Sequence, residues 1–127
     1  MRPLIVISLI AFCTAGLIAQ SADLTQYQPL MKAGAGANGA LRAAVTAKDA
    51  AAIKEQSAKA AEAFDGISKF WATKQKADAV KFAEEARDAA KAVGAASDDA
   101  AQQAALGKLG GTCMGCHTLY RNGRDFK

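Results

Sequence analysis

The residues best suited to chemistry stand together near the end of the chain, in Cys113-Met114-Gly115-Cys116-His117. Two thiols lie three residues apart, and the only histidine of the chain follows the second one directly. On a helix, thiols at this spacing share one side and can add to the two vinyl groups at one edge of a porphyrin, while the adjacent imidazole binds the iron. C-x-x-C-H is the pattern of c-type haem attachment. The sequence therefore predicts one covalent haem c, attached through Cys113 and Cys116, with its iron bound by His117 on the proximal side.

Three other interpretations of the cysteines are weaker. A structural zinc site usually needs four protein ligands, and the chain after the predicted leader has two cysteines and one histidine. A thioredoxin-like C-x-x-C belongs in a βαβ context, and no strand pattern precedes this one. A plain disulfide would leave His117 without a role.

Residues 1–21 are predicted to be a secretory signal peptide, cleaved between residues 19 and 23. A positive start at Arg2 precedes an apolar run over residues 3–18, and small residues follow it; this is the layout of an export signal. The alternative is an uncleaved membrane anchor, for which the apolar run is short. Cys13 does not indicate a lipoprotein signal, because Phe12 stands where a small residue is needed. Since haem c is normally attached after export, leader and motif together predict a periplasmic protein.

The composition favours helices. Of 127 residues 32 are alanine, whereas eight are aromatic and two are proline. Alanine is the strongest helix former, and strands prefer β-branched and aromatic residues. Alanine also buries little apolar area, so a small alanine-rich domain needs something else to fill its core. The net charge of +4 is spread along the chain without a basic block, which gives little support to nucleic-acid binding.

Apolar positions recur at steps of three and four, which predicts four helices. Their ranges are Asp23–Val45, Asp49–Ala72, Lys76–Val93 and Asp98–Tyr120. A single helix over the second and third ranges would be about 68 Å long, so a turn is placed near Thr73. The predicted fold is all-α: over residues 22–127, an antiparallel up-down-up-down four-helix bundle with the covalent haem in its core.

Local signals suggest where these helices begin and end. Thr46 to Asp49 resembles a capping box, and Ser97 to Asp99 supplies a cap and negative charge for the fourth helix. Gly94 suits the end of the third helix. Pro29 suits a helix start, so the first regular helix is expected to begin near Gln28.

Three glycines interrupt the first helix: Gly34, Gly36 and Gly39. Each costs a helix about 1 kcal/mol relative to alanine. They predict a close approach to this helix, either by a neighbouring helix or by a flat ligand.

The stretch from Cys113 to Arg121 reads C-M-G-C-H-T-L-Y-R. It resembles the cytochrome c prime family, the class II c-type cytochromes, whose motif has the form C-x-x-C-H-x-x-Y-R near the C-terminus. Residues 27–32 are similar to the family's first-helix segment, in which the residue aligned with Met31 faces the distal side of the haem. The resemblance implies a place on the proximal side for Arg121. The chain departs from the family at Tyr27, where an arginine often meets a haem propionate, and the predicted mature chain is shorter than is usual.

The sixth iron ligand is the main open question. One histidine excludes bis-histidine ligation within a chain, and Met114 lies between the attachment cysteines, so Met31 remains, with Lys32 second. Methionine–histidine ligation favours electron transfer. The leading expectation is a carrier of single electrons between periplasmic redox proteins, with Met31 as distal ligand.

Alternatively, Met31 only packs over the haem, as methionine often fills gaps in cores. A five-coordinate, high-spin iron would then bind nitric oxide or carbon monoxide, as the resemblance implies. A third class, a stress or interaction protein with an incidental haem, fits the complete motif less well. No residue pattern indicates an enzyme. A homodimer through the first helices is a further option that the resemblance leaves open.

Overall fold

The computed structural model describes the backbone of residues 7–123 and 125–126 and the side chains of residues 23–123. Four helices pack against one another: α1 (Ile7–Ala47), α2 (Ala50–Thr73), α3 (Ala77–Ala95) and α4 (Asp99–Tyr120). After α4, β1 (Arg121–Asn122) and β2 (Asp125–Phe126) form a short antiparallel pair. The prediction of an all-helical, four-helix domain is confirmed. The predicted leader lies outside the residues whose side chains are described, and within the described part no helix has the length and apolarity needed to cross a membrane.

Aspartates cap α2 and α4. The Asp98 carboxylate accepts a hydrogen bond from the Ala101 amide at 2.8 Å, and the Asp49 carboxylate accepts one from the Ala52 amide at 3.0 Å. Each bond satisfies an amide that has no partner within its own helix. The expected capping box at Thr46 was wrong, because Thr46 lies in the last turn of α1 and its hydroxyl donates to the Arg42 carbonyl.

The turn near Thr73 is confirmed although the sequence there has neither glycine nor proline. α2 ends at Thr73, and Gln75 adopts a left-handed φ of 56° before α3 begins. Lys48, between α1 and α2, has the same φ. Non-glycine residues enter this region at a cost of about 1–2 kcal/mol, which packing of the helices on either side must offset.

Two predicted helix ends were wrong. Pro29 lies inside α1 and does not begin it. Gly94 lies within α3, where a Cβ atom would collide with the Ser57 hydroxyl of α2. That hydroxyl donates to the Ala90 carbonyl at 2.7 Å. Gly94 therefore permits a close approach of α2 and α3 instead of ending a helix.

Each helix packs extensively on the next one in the chain, and the two- and three-residue connections make these neighbours antiparallel. α3 contributes mainly alanine to the core, and larger side chains come from the other helices. The buried hydrophobic residues are Leu41, Ala44, Val45, Ile53, Ala60, Ala61, Phe64, Ile67, Phe70, Trp71, Ala79, Ala83, Ala86, Ala89, Ala90, Val93, Leu106 and Leu109.

The first and last helices, by contrast, barely contact each other. We call the space between them the α1–α4 seam. At one end it is bridged by the Arg42 guanidinium, which donates to the Leu106 carbonyl at 3.0 Å, and by the ion pair of Lys48 with Asp99 at 2.6 Å. At the other end, where α1 carries Met31 and α4 carries the C-x-x-C-H motif, the seam widens into a cavity.

Candidate cofactor site

The cavity in the α1–α4 seam has a volume of about 700 Å³, which lies in the range of small-molecule and cofactor sites. Its walls come from α1, the end of α2, the end of α4 and the residues just after it. The lining residues are Tyr27, Gln28, Met31, Lys32, Ala35, Trp71, Cys116, His117, Tyr120, Arg121 and Gly123. The cavity therefore brings the motif histidine and the candidate distal methionine to one space.

A second cavity of about 30 Å³ lies deeper in the bundle. It shares Tyr27, Met31, Cys116 and His117 with the larger one and is otherwise lined by Phe64, Ile67, Phe82, Ala83, Ala86, Thr112 and Cys113. Its volume exceeds the roughly 10–15 Å³ that one water molecule requires. Between them, the two cavities contact both cysteines of the motif.

The motif occupies the last turns of α4. Cys113, Cys116 and His117 are half-buried, whereas the Met114 side chain is 68 % exposed and lines neither cavity. The three-residue spacing thus turns both thiols and the imidazole inward and Met114 outward. Of the two methionines after the predicted leader, Met31 is the one that faces the cavities.

Burial controls the ionisation of these three side chains. It raises the pKa of the Cys113 thiol, and it raises the pKa of Cys116 to about 11, with the neighbouring Cys113 and Asp78 adding to the shift. Burial also lowers the pKa of His117, and the positive charge of Arg121 lowers it further. At neutral pH the thiols are therefore protonated and the imidazole is neutral, which is the form that binds a metal.

The interpretations set against haem attachment find little support in this geometry. Reactive thioredoxin-like cysteines have lowered pKa values, whereas both thiols here are shifted upward and lie on a helix with no strand before it. Both thiols are free. Within residues 23–123, no group of three or more histidine, cysteine or acidic side chains could hold a metal ion, so a structural zinc site does not fit.

Aromatic side chains from three helices form one wall of the site. The Trp71 indole donates a hydrogen bond to the Tyr27 hydroxyl at 3.2 Å. The Tyr27 ring lies 4.7 Å from Phe70, and the Trp71 ring lies 4.9 Å from Tyr120. Aromatic pairs at these separations add about 0.5–1.5 kcal/mol beyond their buried area. Burial raises the pKa of Tyr27 to about 12, so its hydroxyl stays neutral.

α3 supports the motif at two points. The Tyr120 hydroxyl donates a hydrogen bond to the Asp78 carboxylate in the first turn of α3. The Phe82 ring lies against Gly115, inside the motif itself. Neither contact was predicted. The spacing pattern places Phe82 on the inner face of its helix, but no sequence signal pairs it with Gly115 or pairs Asp78 with Tyr120.

The three glycines of α1 do not lie where a flat ligand in either cavity would contact them. A Cβ atom at Gly34 would lie at ordinary contact distances of 3.4 and 3.5 Å from Ile67 and Phe64, so this glycine faces α2. Cβ atoms at Gly36 and Gly39 would meet nothing within 4 Å, and none of the three glycines lines either cavity. The α1 side of the site is built from Tyr27, Met31 and Ala35 instead.

The residues present fit a covalent haem. Two half-buried thiols at the attachment spacing and a neutral imidazole lie on one helix, a thioether lies on the facing helix, and aromatic rings line the cavity.

Comparisons of the chain with protein-family models, with curated proteins and with solved structures gave no match. The functional argument therefore rests on the site itself.

Proposed function

We propose that the chain is a mono-haem c-type cytochrome that carries single electrons between periplasmic redox proteins. The observation that supports this most directly is the convergence of Cys116, His117 and Met31 on one cavity between the first and last helices. A cavity between facing helices is the usual cofactor site of a helix bundle. The bundle would then hold the haem in its core, at the widened end of the α1–α4 seam.

Each side chain has a defined part in this proposal. Cys113 and Cys116 would bind the porphyrin through thioether bonds, His117 would bind the iron, and Met31 would be its second protein ligand. The bound haem supplies an iron that accepts and releases one electron. Trp71 closes one side of the larger cavity, Ala83 and Ala86 of α3 line the smaller one, and Gly115 admits the Phe82 ring beside the motif.

A second function, binding of a diatomic gas, is favoured by one observation. The smaller cavity, of about 30 Å³, lies against both Met31 and His117 and is otherwise lined mainly by apolar residues. If Met31 packs beside the iron without binding it, the sixth position of the iron would be open to nitric oxide or carbon monoxide. The two functions share the same haem attachment and differ only in the sixth ligand.

The proposal is tested by producing the full chain in a bacterium with the c-type maturation machinery. We expect an exported protein whose haem resists acid–acetone extraction and whose pyridine haemochrome spectrum indicates two thioether bonds. Cys113→Ala and Cys116→Ala should each retain at most one bond. Cys13→Ala is the matched control, because Cys13 lies in the predicted leader, and the mass of the mature protein reports the cleavage site.

Haem-free, folded and exported protein would overturn the proposal. So would a Cys116→Ala variant that keeps two thioether bonds, because the attachment would then involve other residues.

A further inference from the structure

The larger cavity combines an apolar body with positive charge. Tyr27, Met31 and Trp71 supply apolar or aromatic surface, whereas Lys32 on α1 and Arg121 just after α4 carry the charge. Among the described residues that line this cavity, none is acidic. Two cations facing one cavity without a counter-ion favour an anionic ligand.

Neither cation is neutralised by a carboxylate within the described side chains. Two lysines near the ends of the bundle are paired, since Lys74 lies 2.5 Å from Asp23 and Lys48 lies 2.6 Å from Asp99. Lys32 is exposed and forms no ion pair with residues 23–123. Arg121 donates from Nε to the Gly123 carbonyl at 2.8 Å, which holds the guanidinium beside the cavity and leaves its other donors available.

The positions of the apolar wall and of the two cations indicate what kind of ligand would fit. A molecule that fits would place a large apolar body against the aromatic wall and present carboxylates or other oxyanions to the two cations. Haem is such a molecule, because its porphyrin plate is apolar and carries two propionate groups. Arginine and lysine bind carboxylates through charge-assisted hydrogen bonds, which are roughly twice as strong as neutral ones.

We propose that Lys32 and Arg121 bind the haem propionates, on opposite walls of the α1–α4 seam. This inference rests on the proposed haem function and adds to it. Lys32 would then act on the propionate edge instead of serving as an iron ligand. Tyr27 carries no charge and its hydroxyl accepts the Trp71 hydrogen bond, so the positive charge at this cavity comes from Lys32 and Arg121.

The test uses the full-length holoprotein and resonance Raman spectroscopy of the propionate bending band, which reports hydrogen bonds to these groups. We expect the band to move to lower frequency in Lys32→Gln and in Arg121→Gln, and further in the double variant. The conservative variants Lys32→Arg and Arg121→Lys should keep the wild-type band. Lys108→Gln is the matched control, since Lys108 is an exposed cation of α4 that lines neither cavity.

A second measurement separates propionates from a free anion. Calorimetric titration of the wild-type holoprotein with inorganic phosphate should show no binding at these residues, because the propionates already occupy them. Phosphate binding that disappears in Arg121→Gln would overturn the inference and assign the cations to a soluble oxyanion.

The remaining outcomes are distinct. A haem-loaded protein whose propionate band is unchanged in both glutamine variants would overturn this inference and leave the proposed function standing. A protein without haem would overturn both. Both positions are exposed, so the variants are expected to fold, and circular dichroism melting curves check this.

Discussion

The Phe82 ring of α3 lies directly against Gly115, the glycine between the two motif cysteines. A Cβ atom at position 115 would come within 2.7 Å of the ring carbon Cε1. Phe82 also lines the smaller cavity together with Cys113 and Cys116. The glycine of the C-x-x-C stretch therefore has a packing reason, because it lets an aromatic side chain lie beside both motif cysteines.

The first prediction is that Gly115→Ala destabilises the holoprotein. Alanine gains about 1 kcal/mol of helix propensity, but forcing a methyl group into this contact costs about 1–3 kcal/mol. The expected net loss in the free energy of unfolding is about 1 kcal/mol, measured by denaturant unfolding. Gly111→Ala is the matched control in the same helix, since its Cβ would meet nothing within 4 Å, and it should stabilise by about 0.5–1 kcal/mol. Equal stabilisation by both substitutions would contradict the close contact.

The second prediction concerns the iron ligand. If Met31 binds the iron, the wild-type protein is low-spin, and Met31→Ala converts it to high-spin with a lower reduction potential, because a methionine ligand raises the potential. Optical and electron paramagnetic resonance spectra with a potentiometric titration measure both changes. Lys32→Gln is the control for a lysine ligand and should stay low-spin. An unchanged high-spin spectrum in wild type and Met31→Ala would reject Met31 as a ligand and favour gas binding.

Helix number and inner faces could be predicted from sequence because they follow from residue spacing. Ile53, Phe64 and Trp71 were placed on one inner face of α2, and all three are buried. The motif cysteines and Met31 were selected by chemistry and position, and the fold brings them to adjoining cavities. The role of the haem itself stays a prediction.

Other features depend on contacts between distant residues, which spacing does not encode. Gly94 resembled a helix end, but its function is set by Ser57 on the neighbouring helix. Thr46 resembled a cap, but the Asp49 carboxylate is the group that accepts a hydrogen bond from the free Ala52 amide of α2. The Tyr120–Asp78 hydrogen bond joins residues 42 positions apart, and no local sequence pattern predicts it.

The third prediction is that neither tyrosine ionises near pH 10. The hydrogen bond to Asp78 raises the pKa of Tyr120 to about 12, and burial raises the pKa of Tyr27 to about 12. An ultraviolet titration should therefore show tyrosinate forming near pH 12. In Asp78→Asn, the pKa of Tyr120 should fall toward its ordinary value while that of Tyr27 stays high, so that the titration splits into two steps. Asp88→Asn, which removes another exposed carboxylate of α3, should leave a single step.

The pKa shifts of Tyr120 and Asp78 also determine how the free energy of unfolding changes with pH. The folded pKa of Tyr120 lies above its unfolded value of 10.0, so its stabilising contribution is complete below pH 10 and is lost as pH rises toward 12. Hydrogen bonding from Tyr120 lowers the pKa of Asp78. The contribution of the ionised Asp78 carboxylate to stability is therefore complete above the unfolded pKa of 3.8 and is lost as pH falls below it. Tyr120→Phe should weaken both dependences, and the burial of Tyr27 and the Ala79 amide bond to Asp78 account for what remains. A Tyr120 hydroxyl that ionises near pH 10 in the folded wild type would contradict its hydrogen bond to Asp78.

The fourth prediction uses Trp71, the only tryptophan of the chain. Trp71 is 4 % exposed and lines the same cavity as His117. A haem in that cavity would accept excitation energy from the indole, so the native holoprotein should be almost non-fluorescent and should brighten severalfold on unfolding. Met31→Ala should remain dark, because it keeps the covalent haem.

The variant with both Cys113→Ser and Cys116→Ser provides the contrast. Without attached haem, its folded state should be fluorescent. It should also melt at a lower temperature, because a cofactor held by the native state alone stabilises that state. The loss should be felt at the α1–α4 seam, since these two helices barely contact each other directly. Bright native fluorescence from a protein that carries covalent haem would place the haem away from Trp71, and thus outside the α1–α4 seam.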